Sequence, residues 1–183
     1  MMDGTLVAAM QSLAAQMALF QALLLGVSAL HKAAGWMRSV GVVRRFAGVP
    51  RSLAPATLGA IVAAELAAGA LLIVPSRRAM GATLSALIWS VYLALILRAI
   101  VQGRREVDCG CSFGSASRPL GSFQVARNAV LAGLAMLTAA VSYCSGGVAA
   151  EASQVLGGVA LLALYGALDQ VMAVQPLRRG EVL

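Results

Sequence analysis

Charge is what this chain has least of. Of its 183 residues only 11% are Asp, Glu, Lys or Arg, against 60% that are hydrophobic, and the mean hydropathy is +0.86. About a quarter of the residues in a soluble domain are charged. The scarcity therefore excludes a soluble globular protein and sets the class as an integral membrane protein, with room for one bundle and no separate soluble domain. Aromatics are also few, at 5%, and alanine is abundant, so the spans are expected to pack closely through small side chains. One histidine, His31, and three cysteines make a poor ligand set for zinc. Cys144 lies a whole apolar run away from Cys109 and Cys111, so no metal site is expected. Acidic residues number seven against fourteen basic ones, for a net charge of +7. The arginines are not clustered with aromatics on any one segment but sit between apolar runs. Membrane topology explains them better than nucleic acid, and no nucleic-acid partner is expected. No phosphate-binding glycine loop or Ser-His-Asp set occurs. The first five residues carry no Lys or Arg, so the first apolar run is expected to stay attached and not to act as a cleaved signal.

Five apolar runs are present, at about 6–30, 57–74, 80–101, 127–144 and 154–174. A helix needs roughly 20 residues to span a hydrocarbon core. The fold class expected is all-α, a polytopic bundle of five membrane helices in a single domain over 1–183. Gln11, Gln16 and Gln21 in the first run are five residues apart, a spacing of about 500° that spirals around a helix. They are expected to hydrogen-bond to neighbouring helices. Between the first two runs stand Lys32, Arg38, Arg44, Arg45 and Arg51, with Trp36 as an interfacial anchor.

Glu65 sits at the centre of the second run. An ionisable group at that depth costs roughly 2.5–3.5 kcal/mol unless it is protonated or paired inside the bundle. It reads equally as a proton carrier or ligand contact and as a neutral acid bonded to a neighbour. Trp89 and Tyr92 lie well inside the third run, where aromatics are more often packing, although they could wall a quinone-sized cleft. Arg98 lies about one turn before the exit of run three and Asp169 in the last third of run five. Alternating spans would put them at the same membrane face, and they are expected to pair.

The polar stretch that stands out is Asp108-Cys109-Gly110-Cys111-Ser112-Phe113-Gly114, in the connection 102–126. Arg104, Arg105, Arg118 and Arg127 flank it, and cationic neighbours favour a reactive thiolate. A disulfide across the single Gly110 would close a very small, strained ring on a permissive backbone. Strained, accessible disulfides have the more oxidising potentials of labile or catalytic pairs. Cys109 and Cys111 therefore read as a redox dithiol at a membrane surface. Cys144 is roughly 24 Å away along the fourth run, too far to join them, and reads as a small apolar residue at a helix end.

Counting Lys and Arg over alternating connections puts twelve on one side and two on the other. The positive-inside rule then gives an outside N-terminus, an inside C-terminus and a dithiol that is cytoplasmic or membrane-embedded.

The order of these features resembles the methylamine utilisation protein MauE family, itself similar to DoxX-type membrane proteins. The likeness runs over about residues 20 to 140. It is carried by Lys32, Glu65, Arg104 and Arg105, then Asp108-Cys109-Gly110-Cys111, Phe113-Gly114, and Arg127-Asn128 opening the fourth run. Here Ser112 stands between the second cysteine and Phe113, where the family form has Phe-Gly directly after that cysteine. The resemblance implies a DoxX-like four-helix core plus a fifth helix, in the bacterial inner membrane. It further implies assistance in maturing periplasmic methylamine dehydrogenase, whose small subunit is rich in disulfides and carries a tryptophan-derived quinone, or of another disulfide-rich periplasmic client. A thioredoxin-like protein would be the redox partner.

Three functions are compatible with these residues: a thiol-disulfide relay through Cys109 and Cys111, with a membrane quinone as candidate cofactor; a non-catalytic assembly chaperone with structural cysteines; and a small-solute or proton transporter using Glu65 and Asp169. A structural disulfide across one residue adds little loop-closure stability, which favours the relay. Neither a duplicated half nor a broken helix of the kind that marks many transporter sites is visible in the sequence.

Overall fold

A computed structural model describes residues 4–103, 121–146, 148 and 150–179, with 172–179 described by backbone alone. All regular structure among the described residues is helical. The elements are α1 (Gly4–Ala34), α2 (Trp36–Ala47), α3 (Ala54–Ile73), α4 (Arg78–Val101), α5 (Ser122–Ser145) and α6 (Ala152–Arg179), with a 3₁₀ turn at Pro75–Arg77 before α4. Five of them, all but α2, are long and apolar enough to cross a membrane.

The organising element is α1, the most enclosed of the five spans. Its buried face is built largely of alanines, Ala14, Ala15, Ala18, Ala22 and Ala29. Small side chains let neighbouring backbones approach, which is how helices associate where lipid removes the hydrophobic drive between them. Gly69 of α3 sits so close that a Cβ there would come within 3.3 Å of the Ala22 carbonyl oxygen. The three glutamines of α1 each meet a different helix, as their spiral requires. Gln11 Nε2 donates to the Ser145 carbonyl of α5 at 2.6 Å, and Gln21 Oε1 accepts from Ser85 Oγ of α4 at 2.7 Å. Gln16 lies against Gly157 of α6.

The hairpin from α3 to α4 is tight, with only residues 74–77 between the two helices. Pro75 supplies the fixed φ of a first helical turn. Gly81 then packs onto the end of α3, where a Cβ would fall 2.6 Å from the Leu72 nitrogen. Buried Arg78 closes the turn, its Nε donating to the Leu72 carbonyl at 3.4 Å.

The largest differences from the sequence reading are at α2, α5 and α6, while α1 runs on to Ala34 and α3 opens at Ala54. The connection after run one contains a complete helix, α2, with Val43 packed on Ala54 and Leu58 and Arg38 and Arg45 exposed. Its apolar face is only three turns long, too short to register as a run. It ends at Gly48, whose φ of +70° is the left-handed cap that glycine adopts without strain. The helix expected to open at 127 begins at Ser122, since Gln124 Oε1 accepts from the Gly121 N–H at 2.9 Å and caps the first turn. Polar Ser122, Gln124, Arg127 and Asn128 hide this start. Helix α6 continues past Pro176 to Arg179, although an interior proline removes one backbone hydrogen bond and its ring crowds the carbonyl four residues back.

Candidate functional site

The five spans alternate in direction, so the end of α1, the start of α3, the end of α4, the start of α5 and the end of α6 share one face of the bundle. Contacts near that face bear this out: Val125 at the start of α5 packs on Ile96 and Ala99 at the end of α4, beside Phe46 of α2. Two buried ion pairs lie at this end.

The first joins α1 to α3. Lys32 Nζ is 2.7 Å from Glu65 Oε1, and the two side chains are 9% and 0% exposed. Side chains on a helix lean towards its N-terminus, and these two helices run antiparallel, so Lys32 leans inward along α1 while Glu65 leans outward along α3. They meet inside the bundle, at the level of the middle of α3, the reverse of the outward snorkelling usual for a lysine near a span end. Ser28 Oγ donates to the same Glu65 oxygen at 3.1 Å and Tyr92 Oη of α4 at 2.7 Å. Lys32 also donates to Ser28 at 2.5 Å and lies 5.4 Å above the centre of the Tyr92 ring. Trp89 stacks edge-on against Tyr92, with ring centroids 5.9 Å apart. Three donors thus converge on one carboxylate oxygen, while Glu65 Oε2 and Trp89 Nε1 are buried without a hydrogen-bond partner among the described residues. The carboxylate is closed off from solvent and belongs to a packed polar core.

The second joins α5 to α6. Arg127 Nη1 is 3.2 Å from Asp169 Oδ1, each side chain 5% exposed. This corrects the expectation that Asp169 pairs with Arg98, which is exposed on α4. The two arginines come from the same membrane face, but only Arg127 projects into the bundle. The pair stands at the head of an apolar cleft of about 410 Å³ walled by α1, α5 and α6, with Phe20, Phe123 and Tyr165 among its lining. Beside it, buried Asn128 donates from Nδ2 to the Gln124 carbonyl at 2.9 Å.

Asp108, Cys109, Gly110, Cys111, Phe113, Gly114, Arg104 and Arg105 lie outside the described residues. The chain leaves for that stretch at Gly103, just after α4, and returns at Gly121, just before α5, at the face that carries both ion pairs. Cys144 is exposed near the opposite end of α5. Sequence reasoning singled out Lys32, Glu65, Arg127 and Asp169 separately but joined none of them correctly. The signal that could have joined the first pair is Ser28 four residues before Lys32, which puts a hydroxyl and an ammonium on one helix face. Tyr92 was read as packing, although its hydroxyl is one of the three donors to Glu65.

Five apolar spans, with two buried ion pairs and buried Arg78 bonded to a backbone carbonyl, define a multi-pass membrane protein. The profile of the family described as methylamine utilisation protein MauE matches residues 10–141. Among curated relatives, the methylamine utilization protein MauE of Paracoccus versutus is 34% identical over 148 residues, covering 80% of each chain. That of Methylophilus methylotrophus is 30% identical over 154 residues, covering 82% of this chain and 81% of the relative. The chain belongs to the MauE family. No solved structure matches it.

Proposed function

We propose that this chain is an inner-membrane accessory protein of methylamine utilisation, assisting maturation of a disulfide-rich periplasmic client through a thiol-disulfide relay. The observation that carries this reading is the Cys109-Gly110-Cys111 pair, set among arginines between two spans of a MauE-family bundle. Cationic surroundings raise the thiolate fraction, and a one-residue ring keeps the disulfide easy to reduce. One cysteine would attack a partner disulfide and the other would resolve the mixed disulfide, so that the partner is reduced as Cys109 and Cys111 are oxidised, or the reverse. The family name directs the client to the methylamine system, with the small subunit of methylamine dehydrogenase as the disulfide-rich candidate and a thioredoxin-like protein as the exchange partner.

The described residues supply the frame for that chemistry. Lys32–Glu65 fastens α1 to α3 and Arg127–Asp169 fastens α5 to α6, so the helices at the dithiol's face are tied in pairs. A transporter reading is weakened by the way Glu65 is held, with three donors on one oxygen and no exposure. The test is a Cys109→Ser/Cys111→Ser protein in a host dependent on this chain for growth on methylamine. Loss of mature dehydrogenase at normal levels of the membrane protein supports the relay; full maturation contradicts it and favours the chaperone.

A further inference from the structure

The polar face of α2 takes no part in the two ion pairs. Successive helical residues turn by about 100°, so Met37, Arg38, Gly41, Arg44 and Arg45 fall within one arc of roughly 120°. Val43 and Phe46 point the other way, Val43 onto Ala54 and Leu58 of α3 and Phe46 onto Ile96 and Ala99 of α4. The bundle therefore holds the apolar face and leaves the arginine face outside, with Arg38 and Arg45 exposed and Arg44 half-buried. Arg51, shortly after the Gly48 cap, is exposed as well.

What meets these arginines is set by Trp36 and by a lack of acid. The Trp36 ring lies against the second turn of α3, where a Cβ on Gly59 would be 3.8 Å from its Cη2, yet the residue is still 38% exposed. Tryptophan's amphipathic ring settles at headgroup level, and Met37 beside it is 82% exposed. These two side chains set α2 alongside the end of α3 at the lipid boundary. No carboxylate of the same region answers the arginines: the chain has no Asp or Glu between Asp3 and Glu65, and Glu65 is engaged by Lys32 inside the bundle. Arg38, Arg44 and Arg51 have no ion-pair partner among the described residues.

An amphipathic helix with arginines on one face and Trp, Val and Phe on the other lies in the membrane interface, and a basic cluster there attracts anionic lipid. A guanidinium presents a planar fork that matches two phosphate oxygens. Gly41, within the arginine arc, leaves room for a headgroup, since a Cβ there would meet only Arg45 Nη2, at 3.8 Å. A zwitterionic headgroup brings its own cation, which the arginines repel; a headgroup of net negative charge brings none. We infer that the outer face of α2 binds an anionic phospholipid, with Arg38, Arg44 and Arg45 around its phosphodiester and its acyl chains beside Trp36 along α3. Binding depends on neither the cysteines nor the orientation of the chain in the membrane.

The experiment uses the full chain purified in a nonionic detergent, with dioleoyl phosphatidylglycerol and dioleoyl phosphatidylcholine added in equal amounts, and counts the retained lipids by native mass spectrometry. The acyl chains are the same, so the ratio reads the headgroup alone. Phosphatidylglycerol is expected to be retained in preference. Arg38→Gln and Arg44→Gln, both off the packed face, should each lower that preference about fivefold, the effect of one basic residue at an anionic lipid surface. Arg77→Gln, which removes one exposed charge at the opposite face of the bundle, should leave it unchanged. Equal retention of the two lipids by the parent, or an Arg77→Gln protein as impaired as the Arg38→Gln protein, would overturn the inference. Displacement of phosphatidylglycerol by millimolar inorganic phosphate would overturn it too, by marking a site for a free anion.

Discussion

Lys32 and Glu65, 33 positions apart in the chain, are held 2.7 Å apart inside the membrane bundle, with Tyr92 and Ser28 donating to the same carboxylate oxygen. A charge in a bilayer is tolerated when it is matched, and here the match also fixes which face of α1 meets α3.

Breaking that match from one side is expected to cost more than removing it. Glu65→Gln or Lys32→Met alone strands a buried polar or charged partner and should destabilise the protein by about 3–5 kcal/mol. The double variant should recover much of the loss. Glu65→Lys, which sets a second ammonium against the first, should prevent accumulation in the membrane. Thermal unfolding in detergent and membrane levels read these out; equal stability of the single variants and the parent would show that the pair is not a fastening.

At the second pair the corrected partner makes a clean contrast. Asp169→Asn and Arg127→Gln should each lower stability, whereas Arg98→Gln, at an exposed position, should change it by no more than about 0.5 kcal/mol. An Arg98 variant as damaged as the Arg127 variant would contradict the pairing of Arg127 with Asp169.

Much of the architecture was legible because length and hydropathy suffice to locate spans: five apolar runs became five long helices. The glutamine spiral was equally legible, since five-residue spacing has one meaning on a helix. Helix α2 was missed because three turns of amphipathic pattern, mixed with arginines, read as a charged connection. The ion pairs were missed for another reason. Pairing depends on rotation of each helix about its axis, and small residues such as Gly69 and Ala22, which set that rotation through close contact, carry little directional signal in a sequence. Hence Asp169 was matched to Arg98 by depth alone, although Arg127 is the arginine that faces inward.

Gly81 offers a test of the turn that fixes α3 against α4. Its missing Cβ would lie 2.6 Å from the Leu72 nitrogen and 2.8 Å from the Leu71 carbonyl carbon, backbone atoms that cannot swing aside. Gly81→Ala should cost about 1–3 kcal/mol and Gly81→Val more. Gly133, with no atom within 4 Å of a built Cβ, is the control, and Gly133→Ala should be neutral or slightly stabilising. Equal tolerance at the two positions would contradict the close hairpin.

The charge asymmetry makes a separate statement about sidedness. With twelve Lys and Arg towards one face of the bundle, some of them within the helix ends, and two towards the other, Cys109 should be shielded from a membrane-impermeant maleimide added to intact cells and Cys144 should be labelled. Single-cysteine proteins separate the two signals. Labelling of Cys109 alone would invert the topology and place the dithiol directly beside a periplasmic partner.

The central claim is that Cys109 and Cys111 cycle between dithiol and disulfide, and trapping their state in growing cells tests it most directly. Acid quenching of cells carrying the Cys144→Ser protein, followed by alkylation with a mass-adding maleimide, counts the free thiols in the loop. The account gives two populations, one with both thiols modified and one with neither, the second disappearing after reduction and changing in amount when the thioredoxin-like partner is deleted. A single population with both cysteines modified, with and without that partner, would contradict it.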